Sequence, residues 1–119
     1  MKNKSHKIGA IKRAINDHIS TNKERSSFFV VHDNWYCGVT NNVGIRKIQH
    51  ATKRIFIYFK SWDAETKNNA VEIEKYFHEL KMRGAKTAGG VRKNSKFIYV
   101  YKYSMTPADI IEFILGISE

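Results

Sequence analysis

Four short runs of aromatic and β-branched residues recur along the chain: FFVV at 28–31, WYCGV at 35–39, RIFIYFKSW at 54–62 and KFIYVYKY at 96–103. Each is short and rich in residues that fit a pleated, half-buried surface. Between them lie segments whose apolar residues return every three or four positions, the period of an α-helix. A chain that alternates these two patterns closes a small sheet under helices. The expected order is helix, two strands, helix, strand, helix, strand, helix. The expected class is α+β, a small, mostly antiparallel sheet of three to four strands flanked by helices. At 119 residues, one domain is expected over 1–119.

Ile8, Ile11, Ile15 and Ile19 recur at helical spacing among lysines and arginines, which predicts an amphipathic helix over about 6–21. The polar STNKERSS that follows reads as a loop. HDN at 32–34 separates two β-prone runs and reads as a hairpin turn. Thr40, Asn41 and Asn42 are N-cap candidates for a short helix over about 42–51. Residues 63–84 form the clearest helical pattern, with acids early, basic residues late and Gly84 where a C-cap belongs. KTAGGVRKNS is a basic loop. A last helix is expected over about 106–116, with Thr106 as N-cap and Pro107 at its first position.

Lysine and arginine number 21 against 11 acids, a formal net charge of +10. On so small a domain this favours polyanionic partners, nucleic acid first. Cys37 is the only cysteine, which excludes an internal disulfide and zinc sites of the four-cysteine or two-cysteine, two-histidine type. No apolar run approaches the roughly 20 residues that span a bilayer. The first twenty residues hold no uninterrupted apolar core of the secretory kind. A cytoplasmic protein with no membrane association is expected.

Arg46 and His50 lie four apart and so share one face of the short helix. An arginine offers a rigid fork of donors suited to phosphate, and a histidine one turn away moves protons near neutral pH. The plain alternative is a solvated basic face. On the long helix, Ala70, Ile73, Phe77 and Leu80 form an apolar stripe, with Glu72 and Glu79 opposite. Glu74 falls at the edge of that stripe, where a carboxylate needs a partner: a divalent cation or one of the many basic side chains. Tyr36 either directs its hydroxyl at a site or packs in the sheet. Phe56, Tyr58, Phe59, Tyr99, Tyr101 and Tyr103 read as core and cross-strand packing. His18, His32 and His78 lack partners at metal-ligand spacing and read as surface residues.

In their order along the chain, these residues resemble the GIY-YIG nuclease family over about residues 27–103. YCG at 36–38 stands where that family has YIG, and Thr40 follows the glycine by two. Arg46 and His50 keep its Arg-x-x-x-His spacing, and AVEIE at 70–74 looks like its Ala-x-x-x-Glu, selecting Glu74. The resemblance implies a hairpin, a helix with the arginine, a third strand and a helix whose glutamate binds metal. It departs at the first motif, whose tyrosine is thought to help activate water. Hairpin pairing puts Phe28 there, which carries no hydroxyl. Asn94 is a counterpart for a late asparagine in the family.

The resemblance thus implies a Mg2+- or Mn2+-dependent endonuclease that hydrolyses phosphodiester bonds in DNA, with RNA left open as a substrate. Glu74 would hold the metal, Arg46 clamp the phosphate, Tyr36 orient phosphate or water, and His50 serve as base or relay. Lys7, Lys12, Arg13, Lys47, Lys86, Arg92, Lys93, Asn94 and Lys96 are the candidate nucleic-acid contacts. One metal on one glutamate suggests one strand cut per visit, by a monomer or weak dimer. Phe28 and the charge support an alternative, a catalytically inactive nucleic-acid binding module on the same fold. Charge alone allows a third, an interaction domain for an acidic protein.

Overall fold

The structure is a computed structural model that describes residues 4–23, 32–53, 55–84, 94–102 and 115. Helix α1 spans Lys4–Thr21, and a 3-10 turn at His32–Asn34 leads into strand β1, Trp35–Thr40. Helix α2, Val43–Ala51, is followed by β2, Ile57–Asp63, then α3, Lys67–Glu79, and β3, Phe97–Lys102. The strands form one antiparallel sheet in the order β1-β3-β2, so the last strand is central. The fold is α+β, as the alternation of patterns requires. The expected strand at 28–31 and Phe28 within it lie outside the described residues, as does the expected C-terminal helix except residue 115.

Strand alternation sorts the sheet into two faces. Trp35, Cys37, Val39, Ile98 and Val100 point to one side, where α1 brings Ile8, Ile11, Ile15 and Ile19 and α3 brings Ala70, Ile73 and Phe77. All are buried. Each fully buried isoleucine contributes about 1.5–3 kcal/mol relative to exposure, so this layer is the main source of cohesion. Tyr36, Gly38, Tyr99 and Tyr101 point to the other side, where His50 of α2 packs.

The helix ends are set locally. Asn42 caps α2, its side chain accepting from the Ile45 amide at 3.0 Å. Thr66 caps α3 in the same way, accepting from the Asn69 amide at 3.0 Å. The helix therefore starts later than the acidic pattern suggests: Asp63 ends β2, and its carboxylate accepts from the Glu65 amide. It also ends earlier. Leu80 is the C-cap and Lys81 takes the left-handed φ of 82° that Gly84 was expected to supply. Leu80 consequently leaves the apolar stripe and is exposed. Gly84 serves elsewhere. Arg83 bridges to β1 at Tyr36, and a side chain at 84 would meet His78 and the Cys37 carbonyl.

Two histidines read as surface residues are structural. His18 is half-buried, edge-on to Trp35 at 5.6 Å and Trp62 at 5.9 Å, and its Nε2 donates to the Tyr58 carbonyl at 2.7 Å. Burial holds its pKa below the usual value. His78 is also half-buried, for reasons given below. Buried Lys102 donates to the Asn22 carbonyl just beyond α1 at 3.3 Å, a favourable place for a cation. Among the described residues, no helix is long and apolar enough to cross a membrane.

Candidate active site

The face under α2 holds a polar cluster built from three elements. Antiparallel register sets Tyr36 opposite Tyr101 and Gly38 opposite Tyr99. The rings of Tyr36 and Tyr101 stack at 5.0 Å with 4° between planes. His50, one turn beyond Arg46 on α2, enters edge-on to Tyr36 at 4.7 Å. Its Nε2 lies 2.8 Å from the Tyr99 hydroxyl and its Nδ1 2.7 Å from the Tyr101 hydroxyl. The Arg46 guanidinium lies close enough to the Tyr99 hydroxyl to pull its pKa down.

These contacts allow two proton orders, one for each neutral tautomer of His50. Arginine only donates, so Arg46 favours the neighbouring Tyr99 oxygen as an acceptor on that side. Its proton can then go to His50 Nε2, leaving Nδ1–H to donate to Tyr101. The other neutral tautomer reverses both histidine bonds. Burial, and then the nearby Tyr36, raise the Tyr99 pKa, while Arg46 pulls against that rise. Tyr99 is therefore a neutral phenol at ordinary pH. His50 is itself buried, with both ring nitrogens engaged. A proton reaching it in this arrangement passes through a tyrosine hydroxyl.

Arg46 also borders an open cleft of about 340 Å3, shared with Thr40, Asn41, Asn42, Ile45 and Gln49. A second cavity of about 550 Å3 adjoins it at Asn41 and is lined by Glu65, Thr66, Lys67, Asn94, Lys96 and Phe97. Asn41 donates to the Asn94 side chain at 3.1 Å, tying the two clefts together.

The structure thus brings Tyr36, Arg46 and His50 together and sets Asn94 beside the adjoining cleft. It does not bring Glu74 to the same face. Glu74 stands on α3, on the Cys37 side of β1, half-buried, with Oε2 4.0 Å from His78 Nε2. That nitrogen donates to the Cys37 carbonyl at 2.9 Å. Burial raises the Glu74 carboxyl pKa, and His78 partly offsets the rise. Burial, then Glu74, push the Cys37 thiol well above its usual range, so it is inert.

The donor set for a metal is small. Among the described residues, no three His, Cys, Asp or Glu side chains come together, and neither lysine nor arginine pairs with Glu74. Mg2+ and Mn2+ are hard cations that can bind through one carboxylate, keep waters and take further oxygens from a substrate phosphate; the partner Glu74 has in this fold is His78. Glu74 is the carboxylate that the resemblance selects for such an ion, and here it stands beside His78 on the Cys37 side of β1.

Of the candidate nucleic-acid contacts, Lys7 pairs with Glu65 at 3.6 Å and Lys12 lies 4.2 Å above the Tyr76 ring. Arg13 and Lys47 are exposed. Lys96 pairs with Asp63 at 3.7 Å. Lys86, Arg92 and Lys93 lie outside the described residues. Tyr99 and Tyr101, expected as packing residues, are the partners of His50. Positions 99 and 101 have the strand period, which puts both on one face, but only the register with 36 and 38 shows which face. His78, expected at the surface, is the partner of Glu74, and their four-residue spacing is the sequence signal for it. In comparisons with known proteins, the chain matches no family model, no curated protein and no solved structure.

Proposed function

We propose that this chain is a metal-dependent endonuclease of the GIY-YIG kind, hydrolysing phosphodiester bonds in DNA. The observation that carries the reading is a convergence. Tyr36, Arg46 and His50, the residues the family resemblance selects, meet in one cluster beside an open cleft. Arg46 would clamp the phosphate, its guanidinium close to the Tyr99 hydroxyl. Tyr36, half-buried against His50 and Tyr101, would orient phosphate or water. His50 would act as a relay through its tyrosine partners. Mg2+ or Mn2+ would supply charge neutralisation at the phosphate and leaving oxygen, but Glu74, the carboxylate proposed to hold it, stands on the opposite face of β1 from the Arg46 cluster. Lys67 and Lys96 around the adjoining cavity extend the cationic path from Arg46, which suits a nucleic-acid backbone.

One observation favours a second reading, binding without cleavage. Glu74 and Arg46 flank β1 from opposite faces, and this arrangement presents no single point that both reach. The two readings separate in one experiment. Purified protein is incubated with supercoiled plasmid in Mg2+, Mn2+ or EDTA, and binding to labelled DNA is followed across a salt series. Metal-dependent nicking supports the nuclease. Salt-sensitive binding without nicking supports the binding module.

A further inference from the structure

We propose that Tyr99 is the positioning residue of this site, fixing both the phosphate clamp Arg46 and the tautomer of His50 through one buried hydroxyl. The proposal rests on the nuclease reading for its kinetic consequence, though not for its structural one.

Tyr99 sits on the central strand and is completely buried, so it does not reach substrate. Its hydroxyl lies 2.8 Å from His50 Nε2, with the Arg46 guanidinium near enough to act on it electrostatically. The opposing position on β1 is Gly38, and a side chain there would overlap the Tyr99 hydroxyl and ring. The glycine of the YCG motif therefore has a definite task, which is to leave room for Tyr99. The ring is held on two further sides, stacked on Phe59 at 5.6 Å and on Tyr36 at 6.1 Å. A hydroxyl fixed in this way removes rotamer freedom from Arg46. That is how a buried side chain sharpens a clamp it does not itself form.

The test is Tyr99→Phe, which keeps the ring and its packing and deletes only the hydroxyl, with Gly38→Ala as the second variant. Two measurements are made. The first is 15N NMR of the His50 ring nitrogens in the intact protein. The expected result is a shifted Nε2 resonance and an altered tautomer balance in Tyr99→Phe, with the fold retained by circular dichroism. The second is plasmid nicking kinetics, where kcat is expected to fall roughly 10- to 100-fold with KM changed less than about threefold, the mark of lost positioning rather than lost binding. Gly38→Ala, which displaces the hydroxyl instead of deleting it, should move the same His50 resonance. Unchanged His50 resonances in Tyr99→Phe would overturn the proposal, as would wild-type kcat. If the wild-type protein does not nick DNA, the nuclease reading falls, and the His50 resonances still decide the role of Tyr99.

Discussion

The Tyr99 hydroxyl occupies the space that a side chain at Gly38 would fill. The two face each other across β1 and β3, so the small residue and the large one are a matched pair. Gly38→Ala should therefore overpack the sheet and cost about 1–3 kcal/mol. Gly44 is the control. It lies in α2, where an added Cβ would meet only the Asn42 side chain at an ordinary contact distance of 3.7 Å, so Gly44→Ala should be neutral or stabilising by up to about 1 kcal/mol. Denaturant titration of both variants measures the contrast.

The cohesion of the molecule lies in the layer between sheet, α1 and α3. Ile15 is completely buried there, whereas Leu80 stands outside the stripe. Ile15→Ala should cost about 2–5 kcal/mol. Leu80→Ala should cost well under half of that in the same unfolding assay.

These elements were readable to different degrees. The isoleucine spacing of α1 and the Thr40–Asn42 caps are local signals, and the helices they mark are present. Helix α3 was misread at its ends because Thr66, not the acids before it, satisfies the first free amides, and Lys81 adopts a positive φ without being glycine. The Arg46–His50 pair was legible because four-residue spacing is itself geometry. Its tyrosine partners were not, since they arrive from a strand about fifty residues away and only register identifies them. The face occupied by Glu74 was equally hidden. A helical wheel gives its angle on α3, but only the sheet order tells which side of β1 that helix covers.

Glu74 gives a pH-dependent test. Its folded pKa is raised above the ordinary 4.5, so the folded state holds a proton to higher pH than the unfolded chain. Its contribution to stability therefore falls as pH rises from the unfolded value through the raised folded one. Glu74→Gln removes that loss. The variant should melt slightly higher than wild type near pH 7, by a few degrees at most, and the difference should close on acidification below pH 4.5. Melting curves over that range check it, and a variant less stable at pH 7 would contradict it.

His50 supports two buried hydroxyls at once. His50→Ala leaves both without that partner and opens a cavity, so it should cost on the order of 3 kcal/mol. Tyr99→Phe, which removes one of the hydrogen bonds, should cost about 1 kcal/mol. Thermal denaturation of the two variants gives the comparison.

The most direct test of the account is plasmid nicking in Mg2+ or Mn2+ by the wild-type protein beside Arg46→Ala and Glu74→Ala. The account requires nicking that EDTA abolishes and that each substitution lowers at least about 100-fold, the scale expected when a phosphate clamp or a metal anchor is removed. Nicking undiminished in Glu74→Ala, or none by the wild-type protein with DNA binding intact, would contradict it.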